Sequence, residues 1–241
     1  MRVVHFSDWH GNTGILPEAD GYFCTGDMYE DSWKRTYHGE QPCKDMSYKV
    51  QEESLNKLGN LREVYLPEAT RNAPVAVVRG NHCYTEYAHR FGGEFYNIGV
   101  EATSFEMLGL KVGGFRGTKF ISEFFSDGLY DSRKVSSGLD KDLDIVMTHA
   151  PPKFILDEVR MWRGADFVGM NGLRDYIEEC NGNKSNLRLS LFGHIHEAFG
   201  TEKLGNVLCC NSATGYTVID REEDGSWTVV EAKRGWDIFN D

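Results

Sequence analysis

Long apolar runs are missing from this chain. No stretch approaches the roughly 18 apolar residues that a membrane-spanning helix needs. The first residues read as a strand, with no charged-then-apolar leader. These absences predict a cytoplasmic protein without a membrane partner. Positive charge is scarce as well: 26 Lys and Arg stand against 37 Asp and Glu, for a net charge of −11. Such a chain repels a phosphate backbone at long range, so extended nucleic acid is disfavoured as a partner, although bound divalent cations would offset the repulsion locally. Regular cysteine spacing is also lacking. Cys24, Cys43, Cys83, Cys180, Cys209 and Cys210 form no C-x-x-C pair. That pattern argues against a disulfide scaffold and predicts reduced thiols, several of them small core residues in strand-like runs. No repeat, low-complexity tract or linker divides the chain, and 241 residues suit one domain over 1–241. Nothing in the sequence bears on oligomeric state.

What is present is a series of short apolar strands that each end in polar residues. Arg2-Val3-Val4-His5-Phe6 is a strand candidate that runs into Ser7-Asp8-Trp9-His10. Gly21-Tyr22-Phe23-Cys24-Thr25 ends at Gly26-Asp27. Over residues 46–66, Val50, Leu55, Leu58, Leu61 and Val64 fit one helical stripe with an interruption at Gly59-Asn60. Val75-Ala76-Val77-Val78 follows and ends at Gly80-Asn81-His82, so strand, helix and strand predict a parallel crossover. Residues 94–97, 102–108 and 110–115 read as an antiparallel meander, and 116–138 as a long aromatic loop. Asp144-Ile145-Val146-Met147 leads to Thr148-His149-Ala150-Pro151-Pro152, where paired prolines stop a helix. Residues 172–180 read as a helix. Residues 187–192 read as a strand ending at Gly193-His194-Ile195-His196, with three more strands at 207–210, 216–219 and 227–230.

Five strand ends thus carry a potential metal donor: Asp8 with His10, Asp27, Asn81 with His82, His149, and His194 with His196. Each piece alone has an ordinary explanation. Gly26-Asp27 is a turn signal, and Gly80-Asn81-His82 is a plausible strand-ending turn. The recurrence is less ordinary, because five of the eight histidines fall at these positions. Donors at strand ends converge at one rim of a sheet, where open α/β sheets carry their sites. His5, His38 and His89 are left as structural or surface residues.

In this order, Asp8-Trp9-His10, Gly26-Asp27, Gly80-Asn81-His82, His149 and Gly193-His194-Ile195-His196 resemble the signature of the calcineurin-like metallophosphoesterases. The resemblance runs from residue 3 to about residue 215. The stretches around His149 and His194 look most like the small phosphodiesterase branch. The resemblance implies an α/β fold, a four-layer αββα sandwich with two mixed β-sheets. It further implies two divalent ions, with Asp8, His10, Asp27 and His196 on one and Asp27, Asn81, His149 and His194 on the other. His82 would stay off the ions and serve catalysis, and Asn81 and His82 would face a small phosphate-ester substrate. Mixed His, Asp and Asn donors suit Mn, Fe, Zn, Co or Ni better than an all-oxygen Mg or Ca site, with Mn expected to support activity in vitro.

Such a pair of ions lowers the pKa of bound water and stabilises phosphoryl oxygens. The implied activity is a metal-dependent phosphoric ester hydrolase, a phosphodiesterase or phosphatase on nucleotide-like substrates. Two rivals remain: a DNA nuclease of the same superfamily, disfavoured by the acidic charge, and a non-catalytic metal-binding scaffold. Cys83 stands where many relatives have Asp or Glu, and Glu30 is a candidate substitute for that acid. Gly26-Asp27-Met28-Tyr29-Glu30-Asp31-Ser32 lacks the arginine of the protein Ser/Thr phosphatase branch. Arg116 is a candidate phosphate contact. Trp9, Asn12, Tyr84 and the 160–167 loop are further candidate walls of the site.

Overall fold

The computed structural model of the chain describes residues 1–29, 44–83, 86–116, 136–161, 164–183 and 185–235. In chain order the main elements are β1 (Arg2–Ser7), β2 (Gly21–Cys24), α1 (Lys44–Leu58), α2 (Leu61–Tyr65), β3 (Val75–Val78) and β4 (Phe95–Ile98). Then come β5 (Thr103–Met107), β6 (Leu110–Phe115), β7 (Ile145–Thr148), β8 (Glu158–Met161), β9 (Gly164–Phe167) and α3 (Asn171–Gly182). The chain continues with β10 (Leu189–Phe192), β11 (Gly200–Leu204), β12 (Val207–Asn211), β13 (Gly215–Arg221) and β14 (Trp227–Arg234).

Two six-stranded sheets form, in the orders β14-β13-β1-β2-β3-β4 and β11-β12-β10-β7-β6-β5. In the first, β1 to β4 run parallel, whereas β13 is antiparallel to β1 and β14. In the second, β12, β10, β7 and β6 are parallel, and the edge strands β11 and β5 are antiparallel. Side chains alternate across each strand. Val3, Phe23, Ala76 and Val78 point to the space between the sheets, where they meet Val112, Ile145, Met147, Leu189 and Leu191. The opposite faces are covered as well. Val4, Phe6, Tyr22 and Val77 pack beneath Leu55, Leu61 and Tyr65 of α1 and α2. Val146, Phe192 and Cys209 pack beneath Leu173, Tyr176 and Ile177 of α3. Helix, sheet, sheet, helix is the four-layer mixed-sheet sandwich expected. Because both faces of the central strands are buried, β2, β3, β7 and β10 read as continuous apolar runs.

The helix break falls where expected. Gly59 takes a φ of 69°, and Asn60 restarts the helix by accepting the Arg62 N–H at 3.0 Å. The expected meander over 94–115 is only half correct. β5 and β6 form a hairpin around Leu108 and Gly109, both with positive φ. β4 instead pairs parallel with β3 in the other sheet. The buried Arg62 guanidinium accounts for this: it donates to the carbonyls of Ala73, Gly92 and Glu94, tying the lead-ins of β3 and β4 together. Residues 160–167, expected as a loop, instead contribute to the paired strands β8 and β9, which begin at Glu158. β11 was not anticipated, since its exposed edge sequence lacks apolar alternation. Nearly all of the predicted 116–138 loop, together with Glu30, His38, Cys43 and Tyr84, lies outside the described residues.

Candidate metal centre

The five donor-bearing strand ends meet at one rim, where the carboxyl ends of β1, β2 and β3 face those of β7 and β10. The chain turns sharply there. Asp8, His10, Asp27 and His194 all adopt left-handed backbone, with φ of 58°, 45°, 52° and 71°. Non-glycine residues adopt it at a cost, and such outliers cluster at functional sites. Glycines make room around them. A Cβ on Gly80 would lie 2.3 Å from Asp27 Oδ1, and one on Gly193 would lie 2.2 Å from Asp8 Oδ2.

One group joins Asp8, His10 and His196. His196 Nε2 lies 3.3 Å from Asp8 Oδ1 and 3.3 Å from His10 Nε2, and His10 Nε2 is 4.0 Å from Asp8 Oδ1. Ser7 Oγ–H, at 2.5 Å, and the His194 N–H, at 2.9 Å, both donate to Asp8 Oδ2, so Oδ2 is engaged and Oδ1 faces the imidazoles. A second group joins Asp27, Asn81 and His149. His149 Nε2 lies 3.1 Å from Asp27 Oδ2 and 3.0 Å from Asn81 Oδ1. The His149 and His194 rings stand 5.0 Å apart between centroids. Asp8, Asp27 and His149 also form a group of converging donor atoms, so the two halves are continuous.

The second group tests whether a cation fits. His149 Nδ1–H donates to the Thr25 carbonyl at 2.6 Å, which leaves the neutral ring a lone pair on Nε2. That lone pair faces two oxygens, and the buried Asp27 Oδ2 has no hydrogen-bond donor of its own. Buried acceptors without a donor are costly. A proton on Nε2 or a bound cation resolves the clash. The electrostatics show the same demand. Burial opposes charge on His149, yet Asp27 and then Asp8 outweigh it and raise its pKa to about 9. Burial likewise opposes ionisation of Asp8 and Asp27, but His149 leads the imidazoles that hold both well below the usual carboxylate range. His194 is pushed down to about 3 by burial and by His149, so it presents a neutral ring, as a metal ligand must. Two buried carboxylates, a set of imidazoles whose protons a cation would displace, and an amide oxygen fit a divalent transition metal.

His82 is half-buried beside this cluster, with its ring edge-on to His10 at 5.2 Å. Its backbone is held from two sides: its N–H donates to Asp27 Oδ1 at 2.8 Å, and its carbonyl accepts from Gln51. Cys83 lies beneath Asp27. Its sulfur accepts the Asp27 N–H at 3.1 Å and the Gly80 N–H at 3.3 Å, and its thiol donates to Asp27 Oδ1 at 3.4 Å. Burial, then the Asp27 charge, pushes this thiol well above its ordinary pKa and keeps it neutral. The acid expected at this position is thus replaced by a group that supports the carboxylate. Arg116 follows β6 one position past the Phe115↔Thr148 pair, and its N–H donates to the Gly99 carbonyl at 2.7 Å. Trp9 does not wall the site. It is fully buried against Phe6 and Tyr65, and its indole N–H donates to the Gly215 carbonyl at 2.9 Å. The exposed Asn12 donates to the Trp9 carbonyl at 2.7 Å. Sequence reasoning missed Ser7, Thr25 and Gln51, which act through hydrogen bonds that no residue pattern advertises.

Two stacked mixed sheets with a rim of His, Asp and Asn donors define the metal-dependent phosphoesterase class of sandwich. A model of the calcineurin-like phosphoesterases matches residues 1–198, and the chain belongs to that family. Among solved structures, it is similar to a candidate 5'-nucleotidase from Staphylococcus aureus, at 11% identity and a TM-score of 0.53. The match covers 96% of this chain and 53% of the nucleotidase, so the chain spans about half of that protein, and the likeness is one of fold. An archaeal phosphodiesterase matches at 13% identity and a TM-score of 0.41, over 97% of this chain and 100% of its own. Vps29 from Entamoeba histolytica, complexed with zinc, matches at 14% identity and a TM-score of 0.34, over 97% and 98%. The curated proteins contain no match. Among the described residues, no helix is long and apolar enough to cross a membrane.

Proposed function

We propose that this chain hydrolyses small, nucleotide-like phosphate esters with a pair of divalent ions, as a phosphodiesterase or phosphatase. Asp8, His10, Asp27 and His196 are assigned to one ion, and Asp27, Asn81, His149 and His194 to the other. The observation that carries this reading is the convergence of two buried carboxylates, Asp8 and Asp27, with His149 and Asn81 Oδ1 and with His10 and His196, a donor set that divalent ions would bind. When bound, the ions would supply an activated water at neutral pH and offset the charge of the phosphoryl oxygens.

The chain's own residues prepare the rest. Ser7 and the His194 amide orient Asp8, while Cys83 and the His82 amide orient Asp27. Thr25 fixes the tautomer of His149, an arrangement that commonly tunes metal ligands. His82 is assigned to protonate the leaving oxygen, a role worth about 10² to 10⁴ in rate. Arg116 is assigned to the phosphate, on its position at the rim alone. The five cysteines among the described residues are buried free thiols, which supports a reducing, cytoplasmic setting.

The test is hydrolysis of p-nitrophenyl phosphate and bis-p-nitrophenyl phosphate by protein loaded with Mn, Zn, Co or Ni. Turnover above buffer is expected, most strongly with Mn. No turnover with any of these metals would sink the reading. Asp27→Ala should lower the occupancy of both ions, measured by elemental analysis. His82→Ala should keep the ions and slow turnover by about 10² to 10⁴.

A further inference from the structure

A cavity of about 580 Å³, of a size that holds a small organic ligand, adjoins the segment that follows the donor His196. Its walls are the turn after His149, the β8–β9 pair, and Glu197 and Ala198, which directly follow His196. We infer that this cavity receives the leaving group of the ester, and that this group is a neutral planar ring such as a nucleobase with its sugar. The assignment rests on the hydrolase reading above, and three observations carry it.

The first is aromatic exposure. Phe154 and Phe167 line the cavity edge-to-face, 5.2 Å between centroids, and are 56% and 38% exposed. Rings paired in this way at the mouth of a polar site offer a stacking surface. Lys153 and Arg174 hold cations 5.2 Å and 5.9 Å from the Phe154 ring and anchor it.

The second is backbone strain. Phe154 and Leu156 both line the cavity in left-handed backbone, with φ of 64° and 50°. Bulky side chains rarely adopt this conformation, and here it turns both residues of one short segment toward the same space.

The third is charge. Asp157, Glu158, Glu197 and Glu202 bring four carboxylates to the wall, against the guanidinium groups of Arg160 and Arg234. A polyanionic leaving group, such as a second nucleotide or a polyphosphate, is repelled, whereas a neutral one is accepted. Arg234 ties the cavity to the metal centre, because its Nη2–H donates to the His196 carbonyl at 2.5 Å.

The test separates this inference from the reading beneath it. 2-Aminopurine riboside is titrated into the wild-type protein, stripped of metal and Mn-loaded, and its fluorescence followed. Saturable quenching is expected in both forms. It should weaken at least tenfold in Phe154→Ala and Phe167→Ala, whose surface positions leave the fold intact by circular dichroism. In parallel, AMP and glycerol 3-phosphate are compared as substrates. Both variants should raise KM for AMP about tenfold and leave that for glycerol 3-phosphate within twofold. Hydrolysis of p-nitrophenyl phosphate without riboside quenching overturns the cavity assignment and spares the hydrolase. Equal effects of the variants on both substrates overturn it as well. Quenching without hydrolysis of any ester removes the hydrolase reading and, with it, the leaving-group role.

Discussion

At the scale of single residues, the candidate centre depends on groups outside the donor set. Cys83 accepts two buried backbone N–H groups, those of Asp27 and Gly80. Cys83→Ala removes this acceptor from both, and a loss of about 1 to 3 kcal/mol is expected in urea unfolding. Cys83→Ser, which restores an acceptor, should recover part of it. His5 is a second such group. It is fully buried, its two ring nitrogens lie 2.8 Å from Thr25 Oγ1 and Ser212 Oγ, and burial lowers its pKa to about 3. A histidine depressed in the folded state stabilises above its unfolded pKa of about 6.5, and that contribution is lost as pH falls toward 3. Between pH 7 and pH 5 the wild-type protein should therefore lose up to about 2 kcal/mol that His5→Gln does not lose, measured by urea unfolding at both pH values. The sequence marked His5 only as a residue outside the donor pattern. Its partners Thr25 and Ser212 are remote in the chain, so the network became visible only in the fold.

At the scale of elements, each donor is placed by a strand that ends in a tight turn. The turns work because small residues stand where side chains cannot. Gly193→Ala would set a Cβ 2.1 Å from Ser7 Oγ and 2.2 Å from Asp8 Oδ2. This variant should keep its circular dichroism and bind fewer than two Mn ions per chain by elemental analysis. Two ions bound as tightly as in the wild type would refute the placement of Asp8. These turns were legible because their grammar is local: an apolar run, a glycine, then a donor. The parallel crossover from β2 to β3 was also legible, since a helix separates the two strands. The partner of β4 was not legible, because it is decided by Arg62, about thirty residues earlier. Nor was the direction of Trp9. Its neighbours Asp8 and His10 face the centre, but alternation buries Trp9 against Tyr65 of α2. The β8–β9 pair escaped for a different reason: β9 is exposed along its length, so no apolar pattern marks it.

At the scale of the whole molecule, the donors come from both sheets. Asp8, His10, Asp27 and Asn81 follow strands of the first sheet, and His149, His194 and His196 follow strands of the second. Any ligand bound by both must stabilise the folded state by mass action, by about 2.7 kcal/mol at one hundred times its Kd. For a chain of this length that corresponds to a rise of about 5 to 10 °C in Tm. Mn should produce such a shift in the wild-type protein by scanning calorimetry, EDTA should abolish it, and Asp27→Ala should not show it. The two layers also meet directly at the rim. The His194 N–H reaches across to Asp8, and His149 Nδ1–H reaches across to Thr25. The distance between the two halves of the centre is therefore set by how thickly the layers pack, through side chains such as Val78, Met147 and Leu191 far from any reacting atom. Folding and the spacing of the donors draw on the same seam, so a change of volume in the interior of this protein would also shift the candidate metal centre.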